Sequence, residues 1–129
     1  VSTGRKPIKR NAMETYNDRK TEMIHASMQM ISHCGEADKR IHEALKKANQ
    51  DNFTGIEGLL KEAKEFLNQA HLAQSHIIQT SIEQEEEITL LLFHHAQDIY
   101  MTKNTELITA EHLVNLYKKI CAVKEACLR

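Results

Sequence analysis

Proline and glycine, the residues least compatible with a helix interior, are confined to the first half of this chain. The sole proline is Pro7 and the last of the four glycines is Gly58, so neither residue occurs again before Arg129. A glycine costs a helix interior about 1 kcal/mol and a proline about 3 kcal/mol relative to alanine. A stretch without either is free to form long helices, and the chain is therefore predicted to be all-α.

Apolar residues recur at spacings of three, four and seven, which places them on one side of a helix. In the first helix they are Met23, Ala26, Met30, Ala37, Ile41, Ala44, Leu45 and Ala48. The pattern continues through Gly35, so this helix is predicted to be continuous but locally weakened. The polar cluster 49–52 suits a tight turn, and Asn52 is predicted to cap the second helix. Such a short turn favours an antiparallel, up-down three-helix bundle. The predicted helices are 13–49, 53–82 and 88–123.

Length and composition limit the number of domains that the chain can form. With 129 residues, 41% of them hydrophobic, it is long enough for one domain with a buried core, predicted over 13–129. Residues 1–12, which include a basic cluster from Arg5 to Arg10, are predicted to be a flexible, solvated tail. The acidic segment 83–87 is predicted to be a solvated link between the second and third helices.

Net charge, cysteine content and hydropathy argue against some classes of function and indicate the cellular compartment. The net charge of -1 argues against nucleic-acid binding, because phosphate backbones are bound by concentrated basic surfaces. The 3 cysteines lack a C-x-x-C spacing and indicate neither a disulfide framework nor a zinc site. The longest uninterrupted apolar run, 90–93, is far shorter than the roughly 20 residues that a membrane helix requires. A cytoplasmic protein is expected.

The run Leu90–Phe93 is apolar on every side of the third helix, and two histidines follow it directly. A helix that is apolar all round is buried within something larger than its own bundle. The pattern therefore predicts symmetric association, with the third helix packed against copies of itself.

His95 and Asp98 lie one helical turn apart and share a face of the third helix. A neutral imidazole is well populated at cytosolic pH and can attack phosphorus, so His95 is a candidate phosphoryl acceptor. In a trimer, three copies of Asp98 would converge and bind a hard divalent cation through oxygen ligands. The alternative interpretation is a hydrogen-bonded pair of His95 and Asp98 with a purely structural role.

A second polar pair, His71 and Gln74, lies among apolar residues of the second helix. Buried or interfacial polar side chains usually find a hydrogen-bond partner. The two residues are therefore either satisfied core groups or the lining of a pocket, formed against a neighbouring chain, that positions His95.

Several short motifs follow one another along the chain. They are Gly35-Glu36-Ala37, Glu43-Ala44-Leu45, Asp51-Asn52-Phe53, Ala70-His71-Leu72-Ala73-Gln74-Ser75, and His95-Ala96-Gln97-Asp98 with Met101-Thr102. Taken in order, they resemble the enzyme IIA component of the lactose/cellobiose (N,N'-diacetylchitobiose) class of the bacterial sugar phosphotransferase system. The resemblance covers roughly residues 20–117 and depends on the motifs jointly.

The resemblance implies a homotrimer of three-helix protomers, nine helices in all, that acts as a phosphotransferase during uptake of a β-linked disaccharide. His95 would accept a phosphoryl group from the phosphocarrier HPr and pass it to a cysteine of the IIB component. His71, Gln74 and Gln97 would support the pocket. Asp98 would bind a structural divalent cation on the trimer axis, and oxygen-only ligation favours Mg²⁺.

Two features depart from the family pattern. The usual continuation of H-A-Q-D is His-Leu-Met-Thr, whereas this chain has Ile99 and Tyr100 before Met101. The helix-one motif usually carries a basic residue and a serine where this chain has Asp38 and Lys39.

The departure after H-A-Q-D keeps a second interpretation open. The chain would then be a trimeric helical regulatory or interaction module of the same fold, with weakened or lost phosphotransfer. A histidine phosphotransfer domain of two-component signalling is a third interpretation. It is disfavoured because that class usually has a lysine and a glycine one turn after its histidine, where this chain has Asp98 and Ile99.

Overall fold

The computed structural model describes residue 4 and residues 10–84 and 90–129. Within these ranges the chain forms three helices and no strand: α1 (Ala12–Asn49), α2 (Ile56–Glu83) and α3 (Leu91–Cys127). The all-helical, three-helix prediction is confirmed, and the homotrimer stays a prediction. Most of the predicted tail and of the predicted acidic link lies outside the described residues. None of the three helices contains a stretch long and apolar enough to span a membrane.

Helix α1 begins one residue before its predicted start because Asn11 caps it. The Asn11 side-chain oxygen accepts a hydrogen bond from the Glu14 backbone N–H at 2.8 Å. The Glu14 carboxylate accepts one in return from the Asn11 backbone N–H at 3.3 Å. This reciprocal capping box satisfies two N–H groups that have no partner within the helix.

Helix α2 begins later than predicted, and the prediction that Asn52 caps it is wrong. The Asn52 side chain instead accepts a hydrogen bond from the Thr54 backbone N–H at 3.2 Å, which stabilises the turn. The residue before the helix is Gly55, whose φ of 78° lies in the left-handed region. Glycine enters that region without steric cost, so the chain turns there and the helix starts at Ile56.

Helix α3 differs from its predicted bounds at both ends. Leu90 has extended backbone angles (φ -129°, ψ 116°) and precedes the helix, so the prediction that it is helical is wrong. At the other end the helix continues past residue 123 to Cys127. There the Lys124 ammonium lies 2.7 Å from the Asp51 carboxylate in the turn between α1 and α2, which ties the added turn to the bundle.

Helix α1 is the element against which the other two pack. It contacts α2 and α3 far more extensively than those two contact each other. Its buried apolar residues are Met23, Ala26, Met30, Cys34, Ala37, Ile41, Ala44 and Ala48. Half of this stripe is alanine, whose small side chain allows neighbouring helices to approach closely. The edge between α2 and α3 is correspondingly open.

Polar contacts set the register of the three helices. The Lys103 ammonium of α3 lies 2.7 Å from the Asp38 carboxylate of α1. On the other side of α1, the Arg40 guanidinium lies 3.0 Å from the Glu62 carboxylate and 4.5 Å from the centre of the Phe66 ring of α2. These contacts fix which residues of α2 and α3 lie at the same height.

Two glycine substitutions should have opposite effects on stability. Gly35→Ala should raise the free energy of unfolding by about 0.5 to 1 kcal/mol, because the helix propensity improves and nothing lies within 4 Å of the added Cβ. Gly55→Ala should lower it by about 1 kcal/mol, because alanine is strained at a φ of +78°. Urea denaturation at one fixed protein concentration measures both, and effects of the same sign would contradict this account.

The Lys103 ion pairs should make stability depend on acid pH. A hydrogen bond from Lys103 lowers the pKa of Asp38, so the pair stabilises the fold above the ordinary carboxyl range and is lost as pH falls below about 4. Since the side chains of Asp38 and Glu106 are 36% and 39% exposed, Lys103→Met should lower the free energy of unfolding by only about 1 kcal/mol at pH 7. The difference from wild type should shrink at pH 3.5. Lys118→Met, at an exposed position, is the control, and a pH-independent difference would contradict the assignment.

Candidate functional site

One stripe of α3 points away from the core and is exposed along its whole length. Its residues recur every three or four positions: Leu91, His95, Asp98, Thr102, Thr105, Thr109, Leu113, Leu116, Ile120 and Val123. We call it the outer stripe. Asp98 is its sole acidic residue, and His95 lies one turn before it. Apolar side chains are strongly exposed at both ends of the stripe, with Leu91 at 83% and Val123 at 62%.

The His95 imidazole is unengaged within the part of the chain that the structure describes. It makes no hydrogen bond, ion pair or ring contact with another described residue. The hydrogen-bonded pair of His95 and Asp98, the structural alternative from the sequence, is not formed. The Asp98 carboxylate likewise has no partner among the described residues, from which its residue receives one hydrogen bond, donated by the Thr102 hydroxyl to the backbone carbonyl at 2.9 Å. Both side chains are therefore accessible to an external partner.

His71 and Gln74 lie near the C-terminal end of α2, in an open groove of about 540 Å³. The groove is lined by His71, Gln74, Ser75, Ile78, Gln79, Ile82 and Glu83. All of the described residues that line the groove belong to α2, which forms one of its walls. The Gln74 side-chain oxygen is buried and has no hydrogen-bond partner among the described residues. An unpaired buried acceptor costs about 1 to 3 kcal/mol, so this oxygen is poised to accept a donor from outside the chain.

Tyr100 is the residue of this region that sequence reasoning missed as part of the site. Its ring stacks on the His71 ring with centroids 5.7 Å apart and planes 30° apart. Burial, and to a smaller extent the nearby Cys34, raises the pKa of the Tyr100 phenol, which stays protonated at neutral pH. The available signal was the departure from the family pattern at position 100, which marks a changed residue but does not identify its neighbour.

The structure does not bring His71 and Gln74 against His95 within one chain. His71 packs on Tyr100, which lies about 140° around α3 and about 7.5 Å along it from His95. The two histidines are at similar heights in the bundle, no more than about two helical turns apart, but on different sides of α3. Gln97 is half-buried and forms no hydrogen bond with a described residue. The predicted pocket is therefore incomplete in a single protomer.

Two sets of residues have the donor chemistry for a metal ion. Asp98 offers an exposed carboxylate that no other described residue pairs with, and it suits a hard cation if other copies of the chain add theirs. Ligand atoms of Asp38, His42 and Glu106 lie within 4.8 Å of one another. The Lys103 ammonium already lies 2.7 Å from Asp38 and 2.8 Å from Glu106, so the second set is neutralised by a lysine.

Cys34 lies beneath this region and is fully buried in α1. Burial raises the pKa of its thiol to about 11, although the charge of Lys103 acts in the opposite direction. The thiolate, the reactive form of cysteine, is therefore negligible at neutral pH. Cys34 is a packing residue and takes no part in the chemistry of the site.

Comparison with known proteins identifies a family. Residues 25–118 match the family described as PTS system, Lactose/Cellobiose specific IIA subunit. The N,N'-diacetylchitobiose-specific EIIA component of Escherichia coli is 32% identical over 103 residues, which cover 78% of this chain and 87% of that protein. The lactose-specific EIIA component of Staphylococcus epidermidis is 31% identical over 91 residues, 70% of this chain and 88% of that protein.

A solved structure agrees with the sequence comparisons. The cellobiose-specific enzyme IIA of Bacillus anthracis superposes with a TM-score of 0.72 at 33% identity, covering 76% of this chain and 90% of that one. The matched range includes His71, Gln74, His95 and Asp98. The family resemblance predicted from the motifs is confirmed, and the chain belongs to the lactose/cellobiose-specific IIA family of the phosphotransferase system.

Proposed function

We propose that this protein is a phosphocarrier that takes a phosphoryl group from HPr onto His95 and passes it to a cysteine of the IIB component. The observation that carries the proposal is the exposed, unengaged imidazole of His95, one turn before Asp98 in the segment that matches the IIA family. An imidazole without an internal partner keeps both ring nitrogens available, one of which is needed as the nucleophile.

The transfer consists of two displacements at phosphorus. A neutral nitrogen of His95 attacks the phosphorus of the donor's phosphohistidine, and the bond between that phosphorus and the donor's nitrogen breaks. A cysteine thiolate of IIB then attacks the same phosphorus, and the new bond to His95 breaks and restores the imidazole. Each step depends chiefly on in-line positioning, which suits a histidine on a rigid helix that large partners can reach.

The outer stripe supports the homotrimer. Its spacing of three and four residues is the pattern by which helices pack along a shared seam. Thr102, Thr105 and Thr109 lie in the middle of the stripe, and both of its ends are apolar. If the stripe became an interface, Asp98 would be the one stripe residue whose carboxylate is withdrawn from solvent. Three α3 helices packed in parallel along this stripe would place the three copies of Asp98 around the axis.

The two flanks of α3 support a ring of protomers. On the side towards α1, a groove of about 260 Å³ lies between Ile41 and Leu45 of α1 and Leu113, at the border of the outer stripe. On the opposite flank, Met101 and Ile108 are 60% and 50% exposed. Contacts between one flank of a protomer and the other flank of the next generate closed rings when the rotation closes. The same rotation would add a wall from the neighbouring protomer to the His71 groove, whose described lining comes from α2.

The proposed cation is structural. Three like charges at one axis repel one another, and a divalent cation bound by Asp98 of each protomer would relieve that repulsion. Oxygen donors without sulfur or nitrogen suit Mg²⁺ among abundant ions. The ion supplies charge neutralisation at the axis, while His95 carries the phosphoryl group.

For the transported sugar, we propose a chemical class rather than one particular compound. The similar proteins of Escherichia coli and Staphylococcus epidermidis are named for N,N'-diacetylchitobiose and lactose, and that of Bacillus subtilis for lichenan. We assign this chain to the uptake of a β-linked disaccharide of this kind. Its contribution is phosphate delivery through HPr and IIB rather than recognition of the sugar.

Substitution of His95 tests the transfer. Wild-type protein incubated with phosphoenolpyruvate, HPr and the kinase that phosphorylates HPr should gain one acid-labile phosphoryl group, read by mass spectrometry. His95→Gln should reduce labelling to background, because His95 is the histidine that stands directly before Ala96, Gln97 and Asp98 in the motif of the family. His94→Gln is the matched control and should label like wild type. Unlabelled wild type would overturn the proposal and favour the regulatory module that keeps this fold without transfer.

Removal of divalent cations tests the axial site. Sedimentation velocity of wild type should show loss of trimer when EDTA is added at neutral pH, because the Asp98 carboxylates then repel. Asp98→Asn should show much less dependence on EDTA, and labelling at His95 should change little. Glu111→Gln, at another exposed carboxylate of α3, should behave like wild type. A wild-type trimer indifferent to EDTA would exclude the cation site.

A further inference from the structure

The His71 imidazole is held on two sides in each protomer. The Tyr100 ring covers one face at a centroid distance of 5.7 Å, a separation typical of stacked aromatic rings. The Ser75 hydroxyl lies 3.4 Å from the Nε2 atom of His71, one turn further along α2. The ring therefore keeps one orientation although His71 lies on the exposed surface of α2. Its remaining nitrogen, Nδ1, is left for another partner.

Tyr100 is anchored well enough to orient a neighbour. It is half-buried and packs against the main core cluster, which includes Cys34, Phe93 and Ala96. It comes directly after Ile99, which packs against the same cluster. A side chain with its base in the core has few alternative rotamers, so its ring is a fixed wall.

The position of Tyr100 is distinctive in sequence. The pattern that this chain resembles has His-Leu after H-A-Q-D, whereas this chain has Ile99 and Tyr100. A leucine at position 100 would have no ring to stack on His71. The stack of Tyr100 on His71, which we call the aromatic clamp, is therefore a property of this chain's own sequence.

The clamp lies on the flank of α3 that faces away from the protomer's own His95. Tyr100 is about 140° around the helix from His95. The two flanks of α3 face the two neighbours when protomers form a closed ring. In such a ring, the clamped His71 of one protomer would face the His95 side of the next. The side-chain oxygen of Gln74, which has no hydrogen-bond partner among the described residues, would lie beside it.

We infer that Tyr100 is a positioning residue for phosphoryl transfer, which holds the His71 imidazole of one protomer so that it donates a hydrogen bond to the phosphoryl group at His95 of the next. This inference rests on the proposed function and on its trimer. His71 forms no covalent bond to phosphorus, and Tyr100 acts only through His71. The orientation matters because misplacement of a positioning group by about 1 Å can cost about a hundredfold in rate.

Kinetics of transfer from purified phospho-HPr test the inference. Tyr100→Leu should lower kcat about tenfold and leave KM within about twofold, because donor docking is unchanged while the oriented hydrogen bond is lost. Tyr100→Phe keeps the stacked ring and should restore wild-type kcat. Tyr117→Leu removes another half-buried tyrosine of α3, near the opposite end, and is the matched control. Its kcat should equal that of wild type.

Two further measurements separate positioning from general damage to the fold. In NMR spectra, the His71 ring protons should shift in Tyr100→Leu because the Tyr100 ring current is lost, and not in Tyr117→Leu. In a double-mutant cycle, Tyr100→Leu should have no further effect on kcat once His71→Gln is present. Sedimentation verifies that each variant has the same oligomeric state as wild type.

The outcomes distinguish the inference from the proposed function. If wild type accepts phosphate on His95 but Tyr100→Leu has an unchanged kcat, Tyr100 has no positioning role. Equal losses in Tyr100→Phe and Tyr100→Leu, or additive losses with His71→Gln, would also reject the stack as the cause. If wild type accepts no phosphate at all, the proposed function fails and the inference fails with it.

Discussion

The buried stripe of α1 is the constraint on which the rest of the structure depends. Half of its apolar members are alanines, so α2 and α3 both settle closely against α1 and only loosely against each other. Among the described residues, α2 and α3 contact each other sparsely, and the groove near His71 and Gln74 is lined by α2 alone. Packing on α1 thus leaves the described part of the candidate site open towards a neighbour.

Much of this architecture could be predicted from the sequence, because it depends on local rules. The absence of proline and glycine after Gly58 predicts long helices, and the spacing of apolar residues predicts the face that α1 buries. Helix starts were less predictable. Asn11 and Asn52 are both good capping residues, yet only Asn11 caps a helix. The difference lies in the backbone turn at Gly55, which depends on three-dimensional context.

The residues of the candidate site could be predicted from the sequence, but the side chains that surround them could not. The order of motifs selects His95 and Asp98 and leads to the family, but no periodicity indicates that the Tyr100 ring rests on His71. That contact requires the actual register of α3 on α1, which the ion pair of Lys103 and Asp38 helps to set. Asp38 stands where the family pattern usually has a basic residue. In this chain the acidic partner of the ion pair, Asp38, lies on α1, and the basic partner, Lys103, lies on α3.

Helical periodicity is consistent with the proposed assembly. The 3.6-residue repeat gives α3 three separate surfaces: a core face with Phe93 and Leu107, the outer stripe with His95 and Asp98, and a flank with Tyr100. One chain cannot fold the outer stripe back against its own α2, because the core face already occupies that side of α3. A ring of identical protomers removes the difficulty, since rotation brings the flank of one α3 towards the outer stripe of the next. A histidine placed between protomers also stays near the surface, where a second protein can approach its nitrogen in line. In the proposed ring, the same geometry that prevents a protomer from completing its own pocket would keep His95 open to the proposed donor and acceptor in turn.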